Sequence, residues 1–592
     1  MRWISVLYLL FSIAVFSQGN DVLAKEYYKN GDYEKALIEY KKLFSKSSLN
    51  INYVLAIVDI HQQLEQYDEA ENFLNQIMPR INYPAFVVEL GYNHQLKNDS
   101  VAATNFYNKA LKSIEERPSY VFSVTNSFKK HALFNEAIKA YEIAMHLKPD
   151  YNFSYQLAQL YGEQGKIEEM FNKYIDFVIA NPTSLNSIKR PLNDFITEDA
   201  TNGNNILLRK VLLKKNQQAP HLIYNELLSW LFIQQKEYNK AFVQEKAIFN
   251  RNPESLSKIE ELAEIATKEQ NYNIAKDIFG FIVETAQDID MVLNAELYLL
   301  QIEIKLSNRK DYDKIDTKFQ VLFSKYGLTV STLQLQVAYV HFLAFYQNKA
   351  ENAIVFLEKS LELPLNDMQM ATVKLQLGDI LVLREQFNKA LIYYTQIQRN
   401  LKNSTISQMA RYKVAKTSYY KGDFKWAESQ LNILKSSTSQ LIANDALDLK
   451  LLISDNKHED SLQIALKSYA KADLLAFQNK NEAAITLLEQ ILKDHKTEPI
   501  VPQALFKQAQ LFEVEKEFEK AIVNYQHIID HYADSVLIDD TLFYLAEIYE
   551  KQLLQNEKAK ALYEQIVFNH EASIYFVDAR KRYRTLRGDN IN

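Results

Sequence analysis

The 592-residue sequence contains no cysteine. That excludes disulfides, thiolate metal sites, cysteine nucleophiles and a lipid-modified N-terminal cysteine. Glycine and proline are scarce, at 11 each. A chain built of strands and long loops would need more turn residues, so a nearly all-helical body is expected. Neither sign of charge dominates: 68 basic residues against 74 acidic ones leave a net charge of −6, too even to make nucleic acid a general partner. No long apolar run follows Phe16. The length exceeds what one compact core supports, so several domains or a repeat array are required.

Aromatic side chains are plentiful, with 37 Tyr and 32 Phe, and they recur at intervals. In residues 24–43, Ala24, Tyr27 and Tyr28 mark one short helix and Ala36, Leu37, Tyr40 and Leu43 a second, with Gly31 and Asp32 between them. Gly31 can take the left-handed conformation that ends a helix, and Ala36 is small enough to let two helices approach closely. From Ala36 the equivalent positions are Ala70, Ala103, Ala137 and Met170, each 33 or 34 residues on. Phe128, Phe134, Tyr141, Ala144 and Pro149 surround Ala137 as Tyr27, Tyr33, Tyr40, Leu43 and Ser48 surround Ala36.

This period and arrangement resemble the tetratricopeptide repeat family, whose unit is a helix–turn–helix of 34 residues. The resemblance implies an all-α fold, a right-handed superhelix of about 15–16 helix pairs, and it covers nearly all of the chain after the first twenty residues. Residues 21–182 form a regular N-terminal block. Residues 183–220, with Pro191 and the run Asn202, Gly203, Asn204 and Asn205, form a degenerate repeat or a hinge. Repeats resume over 221–300 at Ala241 and Ala275. Over 301–570 the spacing widens through Ile315, Ala353, Ala390 and Ala427 to Ala484, Ala521 and Ala559. The gap between Ala427 and Ala484 leaves room for an additional helix, expected over Leu441–Ile453. Residues 571–592 form a capping helix and tail, since a solenoid end must cover its open apolar face.

The N-terminus has the layout of a secretory signal peptide over residues 1–17. Arg2 supplies the charge, Ile4 to Phe16 the apolar run, and Val15, Phe16 and Ser17 the cleavage site before Gln18. The run is short for a membrane span. The mature chain is therefore expected to be exported, to have no integral membrane span, and to leave peripheral association with a membrane complex open. The junction resembles those of Bacteroidetes, which implies a periplasm. Residues 498–587 resemble envelope tetratricopeptide proteins of the outer-membrane-assembly and Tol-Pal-associated type. However, the usual Tyr-Pro-x-Ser turn is degraded to Tyr532-Ala-Asp-Ser and His570-Glu-Ala-Ser.

Chemistry-bearing motifs are lacking. No glycine-rich phosphate loop or nucleophile elbow occurs. His527 and His531 lie four apart without a third ligand nearby. No catalytic residue, metal or cofactor is expected. The family usually binds protein segments on the face made by the first helices. The groove positions fall eleven and fifteen residues before each small residue: Val88 and Tyr92, Phe122 and Asn126, Tyr155 and Gln159. Amides there can pair with an extended peptide's backbone while aromatics supply apolar contact. Asp21, Lys25, Leu55 and Asp59 do not form the chaperone-type carboxylate clamp. A second candidate surface is the basic run Arg580, Lys581, Arg582, Arg584 and Arg587, read either as a patch for an anionic partner or as the outer face of a capping helix with Tyr583 and Leu586 turned inward. The leading function is a non-catalytic scaffold binding protein or peptide segments. The alternative is a structural adaptor of a cell-envelope complex, using its convex face and the basic C-terminal helix.

Overall fold

A computed structural model describes residues 21–402, 404–434, 439–457 and 463–589. The signal peptide expected over residues 1–17 and the last three residues lie outside them. Among the described residues every regular element is helical and no strand occurs. The chain divides into two compact units, Met1–Lys236 and Glu237–Asn592.

In the first unit the helices come in pairs. Ile51–Gln63 is followed by Tyr67–Ile77, Ala85–Leu96 by Ser100–Glu116, Val121–Lys130 by Phe134–Leu147, and Ser154–Glu163 by Ile167–Ala180. Ala85–Leu96 packs on the first helices either side of it, Ile51–Gln63 and Val121–Lys130, and each first helix also packs on its own partner. Ala36, Ala70, Ala103, Ala137 and Met170 all lie in the core, none more than 3% exposed, as close helix approach requires. The stretch 183–220 forms the pair Leu185–Asn193 and Gly203–Gln218, its first helix short and carrying Pro191 inside it. The division between units falls later, at Lys236.

The hairpin turn follows a rule that glycine alone does not reveal. Five residues before each small residue the backbone has positive φ, at Gly31, Glu65, Asn98, Ala132 and Gly165. The next amide then reaches back five residues to close the first helix, as Leu133 N does onto the Phe128 carbonyl at 2.9 Å. This is the Schellman bond. Most of these sites are not glycine, so they carry left-handed strain of about 1–2 kcal/mol. Ala132→Gly should therefore raise stability by about 0.5–1 kcal/mol, after the added unfolded-chain entropy is subtracted. A urea midpoint that falls instead would contradict the strain.

The second unit keeps the same rule. Gln270, Asn348, Glu385, Gly422, Asn479, Lys516 and Leu554 precede Ala275, Ala353, Ala390, Ala427, Ala484, Ala521 and Ala559. Those alanines are fully buried. The wider spacing reflects longer first helices, such as Ile289–Leu306 and Asp367–Leu383. The additional helix is present at Gln440–Asp455. It displaces the regular stack, so that Ile464–Phe477 packs directly on Thr405–Tyr420 and Phe477 meets Phe345 edge-on at 5.5 Å.

Candidate protein-binding site

The first helices of repeats two and three are poor in acids. Ile51–Gln63 holds one acidic residue, Asp59, and Ala85–Leu96 holds one, Glu89. Both are buried and both are matched from the helix Val121–Lys130 and its end. Lys130 Nζ lies 2.6 Å from Asp59 Oδ1 and 3.9 Å from Glu89 Oε2. His131 Nε2 lies 2.9 Å from Glu89 Oε2, and the Ser127 hydroxyl donates to Glu89 Oε1 at 2.6 Å. The Tyr28 hydroxyl donates to Asp59. Burial alone would raise the Glu89 carboxyl, but the His131 hydrogen bond, the Lys130 charge, the His131 charge and the Ser127 hydroxyl outweigh it and hold it below the usual carboxylate range. The cluster therefore satisfies itself. It stitches repeats one to four and offers no free group to a ligand.

The structure corrects the expected groove at the third repeat. Val88 is fully buried, in the core, and cannot touch a partner. The physical reason is packing: Val88 sits in the hydrophobic cluster with Ala103, Tyr107, Val121 and Val124, while the Asp59–Lys130 ion pair joins the two flanking first helices. Tyr92 is half-buried with one ring face stacked on His131, at 3.7 Å between centroids.

The open surface starts one repeat later. Phe122 is 54% exposed although aromatic, and it is held edge-on by Phe153 at 5.7 Å and tilted against Tyr151 at 6.1 Å. Asn126 and Gln159 are exposed, while Tyr155 is half-buried with its ring set edge-on to Tyr174 and Phe177. The Gln156 Oε1 is buried without a hydrogen-bond partner. Aromatic faces held rigidly beside uncharged amides are what an extended main chain can use, with amides for its N–H and C=O groups and rings for its side chains.

In the second unit the slots before Ala390, Ala427 and Ala484 hold ion pairs. Asp379 and Asp473 stand eleven residues before Ala390 and Ala484. Lys413 Nζ lies 2.8 Å from Asp379 Oδ1, and the Tyr394 hydroxyl donates to the same carboxylate at 2.7 Å. Asp473 takes two lysines, Lys416 at 2.6 Å and Lys507 at 2.9 Å. Burial pushes the Asp473 carboxyl up, yet the two lysine charges hold it far below the usual range.

Residues 469–527 and 540–570 match the tetratricopeptide repeat family. These two segments are tetratricopeptide repeats. The first match spans the hairpins that hold Asp473 and Lys507. No curated protein matches the chain. Solved structures similar to it include Naa15/Naa10 bound to HypK-THB, with 11% identity over 97% of this chain and 94% of that one and a TM-score of 0.28. The hetero-tetramer Cut9-Hcn1 of the APC/C has 12% identity over 96% and 98%, with a TM-score of 0.23. Yeast Tom70 has 16% identity over 89% and 99%, with a TM-score of 0.28. At such scores these likenesses carry no argument about the sites of this chain.

The series of helix pairs ends on the helix Phe576–Arg587, and here the anionic-partner patch is corrected. Arg582 is bound to Glu550 at 2.6 Å and Glu547 at 3.0 Å. Arg584 and Arg587 both reach Asp589, Arg587 through Nε at 2.7 Å. Arg580 lies over the Phe576 ring, and Lys581 is exposed. Tyr583 is buried and Leu586 packs on the core. Most of the run is thus spent on its own acids. His527 and His531 stack on each other at 4.3 Å, and among the described residues no group of three or more His, Asp or Glu gathers as a metal site.

The ion-pair lattice is what the sequence reading missed. A usable signal existed: Asp59, Asp379 and Asp473 occupy the same eleven-residue offset as Tyr92, Asn126 and Gln159. Each lies in a first helix otherwise poor in acids.

Proposed function

We propose that the chain is an exported, non-catalytic scaffold that binds an extended protein segment on the first-helix face of repeats four and five. One observation carries this reading: Phe122 stays 54% exposed while locked by neighbouring rings, with Asn126 exposed one turn along the same helix. Preorganised aromatic anchors of this kind bind without a large ordering cost. Export rests on the N-terminal charge and apolar run, and a periplasmic, envelope-associated setting on the resemblances of the N- and C-terminal segments. In such a scaffold, affinity comes from several modest contacts rather than one pocket.

The adaptor reading draws support from the second helices of the second unit, where Ile392, Trp426 and Ile433 are each at least half exposed. It draws none from the C-terminal arginines, which are largely paired internally.

The test is capture of the natural partner by the full chain and by Phe122→Ala/Asn126→Ala. A loss of about ten- to a hundredfold in affinity is expected, the range of a central aromatic anchor, at unchanged melting temperature. Undiminished capture by this variant, together with loss in Ile392→Ser/Trp426→Ser, would transfer the function to the outer face.

A further inference from the structure

Two helices of the second unit have an acid at their C-terminal end. Gln440–Asp455 finishes on Asp455, and Asp534 stands three residues past the end of Phe518–His531. A helix C-terminus is the negative end of the helix dipole and is ordinarily stabilised by a cation. The last turn of Gln440–Asp455 nevertheless holds no basic residue. Both carboxylates line one cavity of about 370 Å³. Lys457, two residues past Asp455, is turned to Glu428, and among the described residues neither acid has an ion-pair partner.

The remaining walls do little to neutralise them. The helix Val501–Val514 meets the cavity with its positive end, but Pro502 has no N–H and Val501 N is bonded to the Glu498 carbonyl at 3.2 Å. His531 also lines the cavity, its Nδ1 lying 3.2 Å from the His527 carbonyl. Asn456, on the same wall, is only 7% exposed. Its Nδ2 donates to the Leu452 carbonyl at 2.8 Å, which leaves Oδ1 buried without a hydrogen-bond partner, a costly condition for an acceptor. Two carboxylates, two helix C-termini and an orphan amide oxygen all require the same complement, a donor carrying positive charge. Pro499, Pro502 and Val536 also line the cavity, which suits a cation on an apolar stem better than a hydrated metal ion. Three separate acceptors match the forked donors of a guanidinium better than a single ammonium. We propose that this cavity receives an arginine side chain of a partner protein, its guanidinium shared by Asp455, Asp534 and the Oδ1 of Asn456.

The absence of cysteine allows a local readout. In the full chain, Val536→Cys, exposed at the cavity, is labelled with an environment-sensitive fluorophore. Val523→Cys, exposed on the helix Phe518–His531, serves as the control. The probe ligand is N-acetylargininamide, with N-acetylcitrullinamide as its uncharged counterpart. The arginine compound should give a saturable shift at 536 and none at 523, and the citrulline compound should give neither. Asp455→Asn/Asp534→Asn should weaken the binding by about tenfold or more. Its melting temperature should be unchanged or higher, because acids have been removed from helix C-termini. Glu482→Gln/Glu489→Gln, the same change of charge at exposed positions of the helix Asn481–Asp494, should bind like the parent. No saturable shift at 536, an equal shift at 523, an equal response to citrulline, or undiminished binding by Asp455→Asn/Asp534→Asn would each overturn the proposal. Saturation by calcium chloride without a response to arginine would overturn it in favour of a metal ion.

Discussion

Asp473→Ala is expected to lower the stability of the second unit by about 3 kcal/mol, because removing one partner of a buried ion pair strands the others. Here the stranded groups are Lys416 and Lys507, both about three-quarters buried and on the first helices either side of Asp473. The loss should appear as a lower urea midpoint, and Asp473→Asn should share most of it, since an amide restores hydrogen bonding but not charge. The pH dependence follows from the depressed folded-state value of Asp473. A carboxylate held below its unfolded value, near pH 4, contributes stability above that pH and loses it progressively as pH falls further. The parent should therefore lose melting temperature more steeply than Asp473→Asn below about pH 4, the two curves converging in acid. Parallel curves would show that Asp473 contributes nothing through its charge.

Gly378→Ala should destabilise by about 2–3 kcal/mol through overpacking. A Cβ on Gly378 would stand 2.3 Å from Cε1 and 2.5 Å from Cζ of Tyr394. That ring has nowhere to go, since Tyr394 is 1% exposed and its hydroxyl is anchored on Asp379. Gly91 faces Tyr107 in the same way, at 2.5 Å, so the requirement belongs to the repeat rather than to one site. Gly280 supplies the control: it lies in the helix Tyr272–Thr285 with nothing within 4 Å of an added Cβ. Gly280→Ala should be neutral or stabilise by about 0.5–1 kcal/mol through helix propensity. Equal effects at the two glycines would mean that helix propensity, not close approach of the hairpin partners, governs both.

These two sites also mark where sequence reading succeeds and where it stops. The small-residue lattice was legible because one physical need, close approach of paired helices, repeats at every hairpin and leaves Ala, Gly or a lone Met or Ile at fixed intervals. The additional helix at Gln440–Asp455 followed from the same arithmetic. Turn positions such as Glu65, Ala132 and Leu554 were not legible, because the fold imposes a left-handed backbone there on residues that do not advertise it. The eleven- and fifteen-residue offsets could be counted along the chain, but which of those positions stay open could not. Offset alone cannot say that Lys130 would reach Asp59, that Val88 would be buried in the core, or that Phe122 would stay open one repeat further on. The basic C-terminal run stayed open between two readings for a related reason: charge counted along a helix says nothing about the acids, here Glu547 and Glu550, that the neighbouring hairpin brings to it.

Photo-crosslinking in intact cells tests the central claim most directly. A photoreactive residue at Asn126 or Gln159 should capture a discrete protein partner, and the same residue at Lys139 on the outer side of the fourth hairpin should not. Capture at Asn126 should disappear when Phe122→Ala is added. Equal capture at all three positions, or capture at Lys139 alone, would contradict the account that the exposed aromatic–amide face of repeats four and five is the binding surface.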